Sequence, residues 1–115
     1  MATGVIDEQV FAELQASAGA DFVVELVDSF LEDAPQALAA LRAAAVSGDA
    51  VAFRRHAHTL KSNGHTFGTL ALAEAARVLE HTPLAALGDG AMAQVDALLA
   101  LYDEAAAALR ERCHA

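Results

Sequence analysis

Four side chains within eight positions could act together on one substrate: His58, Lys61, Ser62 and His65. If the stretch is helical, Lys61 at i+3 and Ser62 at i+4 are neighbours of His58 on the same surface. A free imidazole, with an ordinary pKa of about 6.5, is largely neutral and nucleophilic near pH 7. A cation beside it, with no nearby carboxylate, suits a dianionic phosphoryl group better than a proton relay. Phosphoryl transfer asks mostly for positioning and charge neutralisation. Lys61 is the candidate for the neutralising charge, and Arg54, one turn before His58, lies on the same stripe.

The charge distribution singles out the same stretch. The chain carries 7 basic and 16 acidic residues, a formal net charge of −9, yet no Asp or Glu occurs between Asp49 and Glu74. Arg54, Arg55 and Lys61 fall in that gap, with His56, His58 and His65. An acid-free, cation-bearing window in an acidic protein is where an anion is best tolerated. The overall acidity argues against a nucleic-acid binder, which needs a basic face. A metal is not expected. His56 and His58 are two apart and point to different helix faces, and Glu80-His81 lacks the Glu-x-x-His spacing of a carboxylate-bridged bundle site. No GxxxxGK[ST] loop is present to hold a nucleotide.

These residues need a scaffold, and the composition describes a helical one. Hydrophobic residues make up 56% of the 115, much of that alanine; aromatics are 5% and Pro only 2. The length suits a single domain over 1–115 with a real core. No apolar run reaches the roughly 18 residues that span a bilayer. The acidic N-terminus does not resemble a signal peptide, and the single Cys113 cannot form an internal disulfide. A cytoplasmic protein with no membrane role is expected.

The apolar pattern predicts a short first helix, 7–16, then a long one, 21–47, with Asp21 as N-cap and Gly48 beyond its end. Pro35 lies inside the second pattern and removes the hydrogen bond to the Leu31 carbonyl, which predicts a kink or a helix in two pieces. The third helix, which carries His58, spans about 49–66, capped by Asp49 and broken by Gly68. A fourth follows over 69–80, a loop over 84–90, and a last helix over 91–112. Short connections between long amphipathic helices make antiparallel neighbours: an all-α, up-and-down four-helix bundle with a short extra N-terminal helix. At about 100° per residue, Phe53, Ala57, Leu60 and Gly64 face its core, with Phe67 beyond them, whereas Arg54, His58, Lys61, Ser62 and His65 turn outward. Phe22, Leu70, Met92 and Leu99 are also expected on inner faces.

The run His58-Thr-Leu-Lys-Ser-Asn-Gly-His-Thr-Phe-Gly68 resembles the signature of histidine-containing phosphotransfer (HPt) domains of phosphorelays. His58, Leu60, Lys61 and Gly68 match that pattern in register, Leu79-Glu80 falls where the family has Leu-Glu, and 21–49 is similar to the family's long second helix and the turn after it. The family usually has Gly where this chain has Ser62. A serine is small enough to leave the histidine accessible, and its hydroxyl could bond a phosphoryl oxygen or a backbone carbonyl.

The resemblance implies a phosphohistidine at His58, on Nε2, loaded from a phospho-aspartate of a receiver domain and discharged to another receiver's aspartate. It implies response-regulator receivers and a hybrid sensor histidine kinase as partners, and a monomer. No intrinsic cofactor is implied, since the Mg²⁺ of such transfers belongs to the receiver. Lys61 would stabilise charge; Arg54, Arg55, Ser62 and His65 would meet the partner; Gly64 and Gly68 would serve the structure. No acid directly follows His58, which fits a carrier without its own kinase activity. Two other readings use the same face: a helical adaptor without chemistry, and the phosphoacceptor domain cut from a chemotaxis-type kinase. The Met1 start and the helix running nearly to the C-terminus favour a free-standing protein.

Overall fold

The structure, a computed structural model, describes residues 4–114. Six α-helices run α1 Glu8–Ala18, α2 Ala20–Ser47, α3 Ala50–Phe67, α4 Leu70–His81, α5 Leu84–Leu87 and α6 Ala91–His114, with one 3₁₀ turn, Gly88–Gly90, before α6. No strand occurs among the described residues. Helices α2, α3, α4 and α6 form the four-helix bundle in that cyclic order, each packed on the next and α6 on α2, and α1 closes the end where α2 and α3 meet.

Local chemistry sets the helix limits. The Asp7 carboxylate accepts from Gln9 N and Val10 N and starts α1. Asp49 does the same for α3 through Ala52 N. Gly48 and Gly68 end α2 and α3 at φ +76°, a conformation in which a side chain is strained. Gly68 is also pinned: its carbonyl accepts from Asp7 N at 2.7 Å, and a Cβ there would lie 2.9 Å from Asp7 O. This contact joins the start of α1 to the end of α3.

Three expectations about the helices change. The α2 N-cap is Gly19, not Asp21, which instead occupies the first turn, where its charge faces the positive end of the helix dipole. Helix α2 passes through Pro35 as one element rather than two. The Leu31 carbonyl that proline cannot serve accepts a hydrogen bond from Tyr102 Oη of α6 at 3.4 Å, so a neighbouring helix supplies what the backbone lacks. The expected loop over 84–90 is instead one turn of α-helix and a 3₁₀ turn, begun at Pro83, whose φ of −55° is already helical.

The core is one cluster. Phe11, Leu41, Phe53, Leu60, Leu72, Leu79, Leu98 and Leu109 are its largest fully buried side chains. Phe30 links α3 and α6 through ring contacts with Phe67 at 5.3 Å and Tyr102 at 5.8 Å between centroids. Phe22, Leu70 and Leu99, expected inside, are exposed, and Met92 is only partly buried. In each exposed case a neighbour one or two positions away takes the inner position: Val23, Leu72 and Leu98.

The stretch Leu84–His114 is long and apolar enough, by length and composition, to cross a membrane, which corrects the expectation that no run of that length occurs. In the bundle, the inner face of α6 is buried, with Val95, Leu98, Tyr102 and Leu109 against the other helices.

Candidate functional site

The site lies on α3 and α4, which pack more intimately than any other pair in the bundle. Gly64 makes that possible. A Cβ at Gly64 would come within 2.9 Å of Ala73 Cβ and 3.0 Å of the Ala73 backbone. The carbonyl of Gly64 accepts from Thr69 N at 2.9 Å and from the buried Thr69 hydroxyl at 3.1 Å, fixing the turn into α4. With the two backbones this close, a side chain on α4 can reach the outer flank of α3.

That side chain is Glu80. Its Oε2 lies 2.7 Å from His58 Nδ1 and its Oε1 lies 2.7 Å from Lys61 Nζ. His81 Nε2 is 3.9 Å from Oε1. The expectation of a histidine without a nearby carboxylate is therefore overturned. The acid-free window exists in sequence, but α4 folds back along α3 and brings in an acid 22 positions later. The Lys61 ammonium holds the Glu80 carboxyl below its ordinary 4.5; His58 adds to this, and the two outweigh the partial burial that acts the other way.

An ionised Glu80 accepts hydrogen bonds only, so Nδ1 of His58 carries the proton. The free lone pair of the ring is then on Nε2, and the His58 side chain is 57% exposed. Lys61, by contrast, is 21% exposed and occupied by Glu80. It is the anchor of the carboxylate more than a free surface cation.

The other residues singled out divide by face. Arg54 is exposed on the His58 flank, Arg55 is exposed further round, and neither forms an ion pair among the described residues. Ser62 is exposed beside His58, and its carbonyl accepts from Thr66 Oγ1 at 3.0 Å. His65 is exposed at the far end of the flank, close enough to Glu74 to contribute to the lowering of that carboxyl, after the Arg77 pair that dominates the shift. Gly64 and Gly68 are buried at the two contacts already described. No group of three metal-ligating side chains occurs among the described residues. Glu80 is the residue that reading along the sequence missed as a partner of His58. Its only signals were its place after core Leu79, at the end of α4, and the Leu-Glu of the family pattern.

The bundle thus presents, on the outer flank of α3, an exposed imidazole oriented by a carboxylate of α4. Comparison with known proteins specifies the class. The family model described as "Hpt domain" matches residues 25–112. The crystal structure of histidine-containing phosphotransfer protein B (HptB) from Pseudomonas aeruginosa PAO1 superposes with a TM-score of 0.87 at 26% identity, covering 96% of each chain. No curated protein matches. The chain belongs to the HPt family, and its function is histidine phosphotransfer in a phosphorelay. Proteins of this family interact with receiver domains and histidine kinases.

Proposed function

We propose that His58 is the residue that carries the phosphoryl group, on Nε2, between receiver-domain aspartates. One observation carries this reading: the 2.7 Å contact of Glu80 with Nδ1 leaves the second ring nitrogen as the free nucleophile of an exposed side chain. In the transfer, the Nε2 lone pair attacks the phosphorus of an aspartyl phosphate. An N–P bond forms, the acyl P–O bond breaks, and its electron pair stays on the departing aspartate carboxylate. The ring keeps its Nδ1 proton and becomes a phosphoimidazolium, whose charge faces Glu80. The reverse sequence at a second aspartate returns the ring to its starting state, with no net change in protons.

Glu80 positions the ring and stabilises its transient cation, and Lys61 fixes Glu80. Arg54, Arg55, Ser62 and His65, all exposed on α3, serve as the partner's landing area. The metal belongs to the receiver, and the chain acts as a monomer in the cytoplasm. Label transfer from a phosphorylated receiver tests the assignment: wild type takes up phosphate and His58→Gln does not. Label on His58→Gln would move the phosphoacceptor elsewhere, and no uptake by wild type from any receiver would favour a non-catalytic adaptor.

A further inference from the structure

Beside the reactive face lies a groove that phosphotransfer chemistry does not use. It runs between the first turn of α3 and the segment that follows α4, with Val51 and Arg54 on one wall, His81, Pro83 and Leu84 on the other, and Phe53 at its floor. Val51 is 66% exposed, an apolar branched side chain on the rim of the groove. The groove meets the site directly, because Glu80 lines it as well as holding His58.

We propose that this groove is a specificity pocket for the receiver domain, taking an apolar side chain flanked by an acid. The inference rests on the reading of His58 given above. Val51 precedes His58 by seven positions, which puts it on the same helix face about 10 Å away along the axis. A standard interface buries about 800 Å² per partner, a disc roughly 16 Å in radius. A receiver centred on Nε2 therefore covers the groove. A groove of mixed lining with Val51, Phe53, Pro83 and Leu84 as its apolar part, inside such a footprint, is where an anchoring side chain gains most.

The charge around the pocket selects the anchor's neighbour. Arg54 and His81 stand at its mouth, and the only acid that lines it, Glu80, is already held by Lys61 and His58. An acidic residue beside the apolar anchor is matched; a basic one is repelled.

The test uses the full chain and the receiver domain that phosphorylates it fastest among the receivers of its source organism. Val51→Asp places an acid in the groove at a helix first turn, where the charge suits the dipole. Ala85→Arg crowds the opposite wall. Val46→Asp, at an exposed position of α2, is the control. Affinity for the receiver, measured by calorimetry, falls at least about tenfold for both groove variants and changes less than about twofold for the control, with helicity retained in all three. In transfer kinetics the loss falls on the receiver concentration needed for half-saturation. If both groove variants are folded and bind within twofold of wild type, the groove proposal is overturned while phosphotransfer stands. If wild type neither binds nor accepts label from any receiver, the function reading fails and the groove with it.

Discussion

At the residue scale, the site is a shared carboxylate. Glu80 binds both Nδ1 of His58 and the ammonium of Lys61, each at 2.7 Å, so the two donors are coupled through one acid. Glu80→Gln keeps the size and an acceptor but removes the charge. It should slow phosphotransfer by roughly ten- to a hundredfold through loss of ring orientation and of charge opposite the imidazolium. Lys61→Ala should also slow transfer, and the double variant should be no slower than Glu80→Gln alone, since Lys61 acts through Glu80. Quenched transfer time courses for the four proteins decide it: effects that simply multiply would show the two side chains acting independently.

Acid stability follows from the same group. The folded pKa of Glu80 lies below its ordinary 4.5, so its contribution is fully present above that value. It declines as the pH drops below 4.5, because the unfolded chain takes up the proton first, and is lost once the pH falls through the folded value. Urea midpoints measured from neutral pH down to pH 3 should therefore fall more steeply for wild type than for Glu80→Gln.

At the element scale, two contacts set helix positions. Gly64 allows α4 to lie against α3, and an added methyl meets the Ala73 backbone rather than a movable side chain. Gly64→Ala should cost about 1–3 kcal/mol and slow transfer as well, because displacing α4 withdraws Glu80 from His58. Thermal unfolding and label uptake measure the two losses. Pro35 and Tyr102 make the second contact. Tyr102→Phe removes the donor to the Leu31 carbonyl and should destabilise by about 0.5–1.5 kcal/mol. A Pro35→Ala background restores a backbone N–H that can serve that carbonyl, so the same change should cost less there. A double-mutant cycle by denaturant unfolding showing no coupling would reject the exchange of partners.

At the scale of the molecule, function depends on which helices share a face. The cyclic order α2, α3, α4, α6 puts the His58 flank of α3 against α4, with the groove after α4 at one end and His65 at the other. Elsewhere α6 is tied to α2 by the Arg42–Asp96 and His114–Asp28 pairs and to α1 by Arg112, which pairs with Glu8 and lies 4.5 Å above the Phe11 ring. One core connects all of this, so calorimetric unfolding should show a single transition with matching calorimetric and van't Hoff enthalpies.

Short-range periodicity and capping were legible from the order of residues alone. The spacing of Phe53, Ala57, Leu60 and Gly64 specified the buried stripe of α3, and with it the exposure of His58. Asp49 and Gly68 specified where that helix starts and stops, because capping is a contact among residues a few positions apart. Contacts between distant positions emerged only in the packed bundle. Counting along the chain, His58 has no acid within reach; in the fold, Glu80 touches it, because the close α3–α4 packing at Gly64 brings the end of α4 alongside the middle of α3. Pro35 reads as a break for the same reason, since the Tyr102 that serves the Leu31 carbonyl is 71 positions away from it. A one-dimensional pattern records which face a side chain occupies; what meets that face is settled when the helices pack.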